Sequence, residues 1–476
     1  MSHDQWAGDA RSSGCGPIYD LGREEARNRA NQEKSSQGVG ERTHKDPFCQ
    51  AFNGKAMAEV RPLSHCDGVV TIPGSKSYTH RTLILSSLAD GESVLINALR
   101  CEDTEHTVQA LIKFGVEVFW EKDRVRVLGR GGKFKATDDG IDVGNSGASM
   151  RFLTALAALK KGITLLDGSE RMRERPIGEL LNGLGELGVK AYSQKGDDCP
   201  PVIVESQGLK GGTVRIKGEE SSQFLSGLLM VAPYALRDVH IEVTGLLSSK
   251  PYVDITQDVM FTFGVKIQNQ GYRSFFVKAG QRYLPQKYRI EGDASNASYF
   301  FSAAAVCRGR VKVKNLNPVT IQGDIGFLKI LERMGCRVTR GSDWIEVMGG
   351  ELHGIEMDMN EMPDLVPTLA VVAAFAQGKT VIQNIRHLRF KESDRIHALA
   401  LELSKMGIRI REGKDWLEIE GGKPHGGEIE TYNDHRMAMS FAIAGLAIPG
   451  MKIKGERCVD KSFPGFWETL QKLYKK

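Results

Sequence analysis

The segment Pro73–Arg81, with the sequence PGSKSYTHR, combines a glycine turn, hydroxyl side chains and two cations, Lys76 and Arg81. A helix-like apolar run, residues 82–89, follows it. A turn entering a helix presents free backbone N–H groups and the positive end of the helix dipole, which suit a phosphate or carboxylate. A capped helix with surface cations fits the same residues, so this segment alone leaves both interpretations open.

Polar segments of the same kind precede other apolar runs. They are GNSGASMR (144–151, with Asn145, Gly147 and Arg151), RMRERPIG (171–178), SSQFL (221–225), SSKPYVDIT (248–256) and EGDASNASYF (291–300). Ordinary N-capping is the alternative interpretation for such helix entries. For Arg171 and Arg173, a solvated charged turn is the favoured interpretation.

The C-terminal half adds carboxylates to these cations. Asp364 stands beside an apolar run, and a buried carboxylate is unfavourable unless it has a partner or a function. Lys391 and Arg395 flank Glu392 and are four residues apart, which predicts a shared helix face, with a surface ion-pair network as the alternative. Two further cations at such junctions are Arg436 and Lys461. Together these residue types suit binding of two small anions and proton transfer between them.

Composition limits the classes of function. The chain has 476 residues and a net charge of only +5, from 64 basic and 59 acidic residues, which disfavours a nucleic-acid surface. The eight cysteines form no CxxC pairs with histidine partners, so neither a zinc site nor a disulfide framework is indicated, and we expect a reducing, cytoplasmic location. No apolar run approaches the ~20 residues of a membrane span, so no membrane partner is expected. The GxGxxG match GLGELG (183–188) follows a helix instead of a strand, the wrong context for a dinucleotide.

Residues 1–56 differ from the rest in being polar and lacking apolar periodicity. They predict a disordered extension with neither a secretory signal nor a transit peptide. We therefore expect Met57 to be at or near the natural start, and residues 1–56 to be dispensable.

A repeat of roughly 72 residues organises the remainder. Five times an amphipathic helix runs into a glycine suited to the C′ position and then a strand; the glycines are Gly115, Gly188, Gly264, Gly335 and Gly407. Each unit also contains a helix that is apolar nearly all round and should be buried, such as MRFLTALAAL. Each unit has roughly the element order β-α-β-α-β-β, which predicts an α+β fold with sheets of mixed strand direction.

The two ends of the chain complete this pattern. The chain closes on a helix without its strands, and the strand pair AEVRPL and DGVVTIPG near the start lacks a helix. We therefore expect six units, three per domain. The first domain comprises residues 57–72 plus 293–476, and the second comprises residues 73–292.

The motifs PGSKS, GNSG, ERPIG, SSQFL, SKPYVDIT, MPD, KESDR, YNDHRMAM and KSFPGFW, in this order, resemble those of the 5-enolpyruvylshikimate-3-phosphate synthase family. The resemblance begins near residue 60 and runs to the end. It implies a two-domain inside-out α/β barrel, a monomer, and neither a metal nor an organic cofactor. It also implies transfer of the enolpyruvyl group of phosphoenolpyruvate to the 5-hydroxyl of shikimate 3-phosphate, with release of phosphate.

The resemblance assigns roles to individual positions. Shikimate 3-phosphate would be bound by Lys76, Ser77, Arg81, Ser221, Ser222, Gln223, Ser249, Asp364 and Lys391. Phosphoenolpyruvate would be bound by Lys76, Gly147, Arg175, Gln223, Arg395, Arg436 and Lys461. Asp364 would be the general base, Glu392 the general acid at C3, and Lys76 the third catalytic residue. Tyr252 would pack near the sugar phosphate, and Asn145 would shape its turn.

Three positions depart from the family pattern. Ala148 and Phe152 stand where many members carry threonine and proline, and His387 stands where some carry an asparagine that touches shikimate 3-phosphate. Gly147 keeps the small residue beside phosphoenolpyruvate, so inhibition by glyphosate is expected. The alternatives are an enolpyruvyl transferase acting on UDP-N-acetylglucosamine, whose reactive-loop cysteine has no evident counterpart here, and a non-catalytic anion sensor.

Overall fold

The computed structural model describes residues 49–52, 55–135 and 140–474. The predicted disordered extension falls outside the described residues over its first 48 positions and stays a prediction there. The strand Cys49–Phe52 pairs antiparallel with Lys55–Val60, so strand structure includes residues 49–52 and 55–56, which we had assigned to the disordered extension. None of the helices in the described ranges combines the length and apolar character needed to cross a bilayer.

Short strands make up the sheets of the described chain. They are β1 (Cys49–Phe52), β2 (Lys55–Val60), β3 (Asp67–Thr71), β4 (Asp90–Ile96), β5 (Glu117–Trp120), β6 (Arg124–Arg130), β7 (Ile141–Asp142), β8 (Gly162–Asp167), β9 (Lys190–Ser193), β10 (Val202–Ser206), β11 (Gly212–Lys217), β12 (Val239–Thr244), β13 (Ile267–Gln270), β14 (Ser274–Val277), β15 (Lys287–Arg289), β16 (Arg310–Lys314), β17 (Arg337–Arg340), β18 (Trp344–Met348), β19 (Glu356–Asp358), β20 (Lys379–Gln383), β21 (Arg409–Glu412), β22 (Leu417–Glu420), β23 (Glu428–Ile429) and β24 (Met451–Lys454).

The helices alternate with these strands. They are α1 (Lys76–Leu88), α2 (Glu102–Lys113), α3 (Gly147–Ala157), α4 (Gly178–Glu186), α5 (Ser222–Val231), α6 (Lys250–Thr262), α7 (Ala294–Val306), α8 (Phe327–Met334), α9 (Val366–Ala374), α10 (Arg395–Lys405), α11 (His435–Gly445) and α12 (Phe466–Gln471). The fold is thus a mixed arrangement of helices and small sheets.

The strands form six four-stranded sheets that share one pattern. Their orders are β15-β4-β6-β5, β7-β8-β10-β9, β11-β12-β14-β13, β3-β16-β18-β17, β19-β20-β22-β21 and β23-β24-β2-β1. In each, the first two strands are parallel and the next two pairings are antiparallel. Their side chains alternate between buried and partly exposed, as in β10, because one face of each sheet covers a core.

Six helices lie almost wholly inside the molecule, as the apolar runs predicted. They are α1, α3, α5, α7, α9 and α11. The buried apolar side chains form two separate clusters, one from residues 60–72 and 294–473 and the other from residues 78–290. The sheets containing β16, β20 and β24 face the first cluster, and those containing β4, β8 and β12 face the second.

The glycine pattern of the repeat is confirmed. All five repeat glycines follow an amphipathic helix with positive φ, from 77° at Gly407 to 113° at Gly335. A residue with a Cβ adopts this left-handed conformation only with strain, so glycine ends each helix and lets the chain reverse into its strand.

The two chain ends do meet, but not as one strand pair. β2 pairs with β24, joining Met57 to Lys454, whereas β3 pairs with β16 in a different sheet. Leu473 packs closely on Gly68 of β3. A Cβ added at Gly68 would lie 2.8 Å from a methyl group of Leu473. The predicted partnership of AEVRPL with DGVVTIPG is therefore wrong, because each strand completes a sheet built mainly from the C-terminal half.

Candidate active site

One cavity gathers nearly all the predicted site residues. It is lined by Lys76, Ser77, Arg81, Gly147, Arg175, Ser221, Ser222, Gln223, Ser249, Asp364, Lys391, Glu392, Arg395 and Arg436. Lys461 is not on the lining, but its ammonium group lies 3.9 Å from the Glu392 carboxylate. The lining residues come from both parts of the chain that form the apolar clusters, such as Gly147 and Ser222 from one part and Asp364 and Arg436 from the other, so the cavity lies between the two clusters.

The buried helices explain this convergence, since all six begin at the cavity. Lys76, Gly147, Ser222 and His435 are the first residues of their helices, and α7 and α9 start next to Asp293 and Asp364. Side-chain caps hold several of these N-termini: Ser146 accepts from Ser149 N, Ser221 from Gln223 N, Asp293 from Asn296 N and Asp434 from Arg436 N. The predicted capping role is therefore real, and it coexists with N-termini whose dipoles favour anions.

Asp364 lies among three cations. Its carboxylate is 2.8 Å from the guanidinium of Arg436, 3.1 Å from that of Arg395 and 3.8 Å from the ammonium group of Lys391. Burial alone would raise the pKa of Asp364, but these cations outweigh burial and hold the pKa well below its ordinary value. Asp364 is therefore an ionised carboxylate, able to accept a proton.

Glu392 has its own set of cations. The carboxylate lies 2.9 Å from Arg395, 3.7 Å from Arg175 and 3.9 Å from Lys461. Burial raises its pKa, but the neighbouring guanidinium and ammonium groups lower it further, so the net pKa lies well below the ordinary value. Without other anions in the cavity, Glu392 is therefore also ionised.

Arg395 is held in place by a carboxylate that the sequence did not single out. Asp434, which is fully buried, accepts from Arg395 Nε at 2.8 Å and from Nη2 at 3.2 Å. The predicted shared helix face of Lys391 and Arg395 is wrong, because α10 begins at Arg395 and Lys391 precedes it in extended backbone. The two cations nevertheless converge on Asp364.

Two lysines from distant parts of the chain share one carboxylate. Asp103, near the start of α2, lies 2.7 Å from the ammonium group of Lys76 and also binds Lys461. Burial would lower the pKa of Lys76, but Asp103 raises it overall, so Lys76 is a cation. Asp103 was missed because it stands in the acidic first turn of an amphipathic helix, where a dipole partner is expected.

Arg81 lines the cavity, and hydrogen bonds hold its guanidinium in place. It donates to Thr256 Oγ1 at 2.7 Å, to the Ser77 carbonyl at 3.0 Å and to the Tyr252 carbonyl at 2.9 Å, while its guanidinium stacks 5.2 Å from the ring of Phe152. These contacts fix the guanidinium at the cavity wall without neutralising its charge.

Three histidines also line the cavity: His80, His387 and His435. Burial lowers the pKa of His80 and of His387 to about 3, and that of His435 well below its ordinary value, so all three are neutral. His80 Nε2, His387 Nε2 and both ring nitrogens of His435 are buried and have no hydrogen-bond partner among the described residues. These nitrogens therefore retain unused hydrogen-bonding capacity in residues that line the cavity.

Arg171 corrects another expectation. It does not lie in a solvated turn, since its guanidinium donates to the carbonyls of Lys391 and Arg389, both at 3.0 Å. Arg173 instead pairs with Asp167 near the surface, as expected of a charged turn. Arg171 thus joins the two halves that form the cavity, at the backbone that directly precedes the predicted acid, Glu392.

The charges of the cavity indicate the kind of ligand and chemistry that it suits. A cavity with a surplus of fixed guanidinium and ammonium groups, six helix N-termini and two ionised carboxylates binds small multivalent anions and exchanges protons with them. No three His, Cys, Asp or Glu side chains within the described ranges are arranged to hold a metal ion.

Comparison with known proteins finds relatives over most of the chain. The family described as EPSP synthase (3-phosphoshikimate 1-carboxyvinyltransferase) matches residues 60–470. A 3-phosphoshikimate 1-carboxyvinyltransferase from Sulfurovum sp. is 43% identical over 419 residues, which cover 87% of this chain and 98% of the relative. The protein of the same name from Nostoc punctiforme is 46% identical over 404 residues, covering 84% and 95%. Among solved structures, EPSP synthase from Acinetobacter baumannii matches with a TM-score of 0.74 and 28% identity, covering 88% of this chain and 98% of that one.

Proposed function

The chain belongs to the EPSP synthase family, and on this premise we propose how its own residues divide the work of the reaction. The enzyme transfers the enolpyruvyl group of phosphoenolpyruvate to shikimate 3-phosphate, a step of the shikimate pathway to aromatic amino acids. The observation that carries the assignment of roles is the pair of ionised carboxylates, Asp364 and Glu392, which share Arg395 across one cavity.

The two substrates would be bound by two overlapping sets of cationic and polar residues. We assign shikimate 3-phosphate to the wall that includes Lys76, Ser77, Arg81, Ser221, Ser222, Gln223, Ser249 and Lys391. We assign phosphoenolpyruvate to the set Lys76, Gly147, Arg175, Gln223, Arg395, Arg436 and Lys461. Lys76 belongs to both sets because its helix starts at the cavity and its ammonium group approaches Lys461 through Asp103.

Asp364 acts as the general base on the 5-hydroxyl. Its depressed pKa keeps it ionised at neutral pH, so the carboxylate is available to take the hydroxyl proton as oxygen attacks C2 of phosphoenolpyruvate. The neighbouring ammonium group of Lys391, 3.8 Å from the Asp364 carboxylate, assists by binding the same sugar phosphate.

Glu392 acts as the general acid at C3, which requires that it gain a proton when substrate binds. The cations that depress its pKa are those assigned to phosphoenolpyruvate, notably Arg175 and Arg395. A bound phosphate and carboxylate would neutralise these cations and add negative charge, so both effects raise the pKa of Glu392. Substrate binding thereby prepares the acid, and the same group can take the proton back from C3 in the second half of the reaction.

The two apolar clusters suit two domains of an inside-out barrel, with three sheets around three buried helices in each. We place the first domain at residues 57–72 plus 293–476 and the second at residues 73–292. Anions bound between them would draw the domains together. The six cysteines whose side chains are described are all free thiols, which suits a reducing compartment such as the cytoplasm. We further propose that the enzyme is a monomer and that glyphosate inhibits it at the phosphoenolpyruvate site.

Phosphate release that requires both substrates tests the proposal. Asp364→Asn keeps the shape of the side chain and removes the base, so we expect kcat to fall by about 10³-fold, within the usual range for general acid–base catalysis. Glu361→Gln, an exposed acid three residues away, is the matched control and should behave as the wild type. Full activity in Asp364→Asn would refute the assignment of the base, and release without shikimate 3-phosphate would refute the substrate pair.

A further inference from the structure

A second carboxylate, Asp324, lies beside the proposed base without having been assigned a role. It belongs to a short 3-10 helix, Gly323–Gly326, and its side chain is buried. The hydroxyl of Tyr252 lies 3.2 Å from Asp324 Oδ2 and 3.5 Å from Asp364 Oδ2. One phenolic proton thus stands between two carboxylates, and it can be donated to only one of them at a time.

The environments of the two carboxylates are very different. Asp364 is held by three cations, whereas Asp324 accepts from Ser295 Oγ and Tyr252, and its Oδ1 is buried without a hydrogen-bond partner among the described residues. A buried carboxylate oxygen without a partner disfavours the charged form. The charges facing Asp324 are those of Asp364 and Asp293, which favour its protonation, and of Arg436, which opposes it.

The balance of these effects favours a proton on Asp324 over one on Asp364. Burial and then the neighbouring Asp364 raise the pKa of Asp324 to about 6, whereas the pKa of Asp364 lies well below its ordinary value. The pKa of Tyr252 is raised well above 10, first by burial and then by the two carboxylates, so the phenol stays protonated and can only pass a proton on.

We propose that Asp324 receives, through the hydroxyl of Tyr252, the proton that Asp364 removes from the 5-hydroxyl of shikimate 3-phosphate. The proton leaves Asp364 for the phenolic oxygen as the phenolic proton moves to the Asp324 carboxylate. One O–H bond is broken at the substrate and one is formed at Asp324, while Tyr252 and Asp364 return to their starting states. As phosphate leaves, the proton returns through Tyr252 and Asp364 to a phosphate oxygen, so that Asp324 is ionised again for the next turnover. The proposal rests on the proposed function, because it takes Asp364 as the base.

The relay would restore the charge of the base during turnover. With the proton on Asp324, Asp364 is again an anion facing Arg395, Arg436 and Lys391, and the orphaned oxygen of Asp324 no longer belongs to a buried charge. Tyr252 comes from the half of the chain at residues 78–290 and both carboxylates come from the other half. The relay is therefore complete only when the two halves meet. Asp324 is a positioning residue in this scheme, since it acts through Tyr252 and does not touch the substrate.

The dependence of kcat on pH tests the relay. Asp324 must be ionised to accept a proton, so wild-type kcat should fall in acid, and kcat/KM for shikimate 3-phosphate, which reports the free enzyme, should fall as pH drops through about 6. Asp324→Asn should remove this fall and lower the plateau by about 10²-fold. Tyr252→Phe should lower the plateau similarly, and its solvent isotope effect should lose the contribution of a second moving proton. Titration of the substrate phosphates is common to all variants and cancels in the comparison.

Ser295→Ala provides a readout that a purely structural role would not give. The Ser295 hydroxyl stabilises the ionised form of Asp324, so its removal should move the acidic fall of kcat to higher pH while the plateau is kept. An unchanged profile in both Ser295→Ala and Asp324→Asn would overturn the relay, as would wild-type kcat in Tyr252→Phe. If Asp364→Asn still shows its large loss of kcat in that case, the relay alone fails. Wild-type activity in Asp364→Asn would mean that the assignment of Asp364 as the base fails as well.

Discussion

Gly147→Ala is the substitution whose effect the geometry defines most sharply. Gly147 is the first residue of α3 and lines the cavity. An ideal Cβ at this position would lie 2.6 Å from Arg175 Nη2 and 3.2 Å from Arg151 Nη1. The backbone of α3 already suits alanine, which is the better helix former by up to about 1 kcal/mol, so the fold should be retained.

The guanidinium of Arg175 must therefore move. It has to retreat by roughly 0.8 Å, the difference between 2.6 Å and an ordinary contact of 3.4 Å, and it can do so because it ends a flexible side chain. Arg175 is one of the cations assigned to phosphoenolpyruvate and faces Glu392 at 3.7 Å. A misplacement of about 1 Å can reduce a rate by about 10²-fold, which corresponds to about 2.7 kcal/mol of transition-state stabilisation.

Steady-state kinetics with each substrate varied in turn would measure this effect. We expect kcat/KM for phosphoenolpyruvate to fall by about 10²-fold, with KM for shikimate 3-phosphate nearly unchanged. Gly185→Ala is the matched control, because that glycine is also helical and an added Cβ meets nothing within 4 Å. The reasoning is refuted if Gly147→Ala keeps wild-type kcat/KM for phosphoenolpyruvate, or if both substrates are affected equally.

Four further predictions concern other parts of the chain. Glyphosate inhibition should weaken as the concentration of phosphoenolpyruvate is raised. An inhibition curve that is the same at every concentration of phosphoenolpyruvate would exclude a shared site. Asp103→Asn should destabilise the protein by about 3 kcal/mol in urea unfolding, because Lys76 and Lys461 would face each other without their carboxylate; a change below about 1 kcal/mol would contradict this. Burial raises the pKa of Asp103, but the two lysines hold it below 3.8 overall. The contribution of Asp103 to the free energy of unfolding is therefore present above about pH 4 and is lost as pH falls. In Asp103→Asn, the free energy of unfolding should therefore decrease less steeply in acid than it does in the wild type. A chain starting at Met57 should keep wild-type activity, and a loss of activity or solubility would show that the extension is needed.

Much of the fold and of the site followed from local features of the sequence. The repeat was visible because helix ends and buried helices have local causes: Gly115 and its counterparts adopt positive φ, and runs such as residues 150–159 are apolar nearly all round. The site residues were visible because cations and hydroxyls recur where such runs begin. Resemblance to a known family then assigned their roles, and all of those assigned to a substrate except Lys461 line one cavity.

The partners of these residues depended on the folded chain. Lys461 meets Asp103 across 358 positions of sequence and Arg395 meets Asp434 across 39, and no local spacing predicts such contacts. The same holds for Arg171, which was expected in solvent but hydrogen-bonds to the opposite half. It also holds for Asp324, whose pKa is raised by burial and by Asp364. Residue types and helix entries are encoded locally, whereas burial and charge pairing depend on which helix N-termini the sheets bring together. The protonation state of each carboxylate in the cavity therefore depends on the tertiary structure, which sets its burial and its charged neighbours.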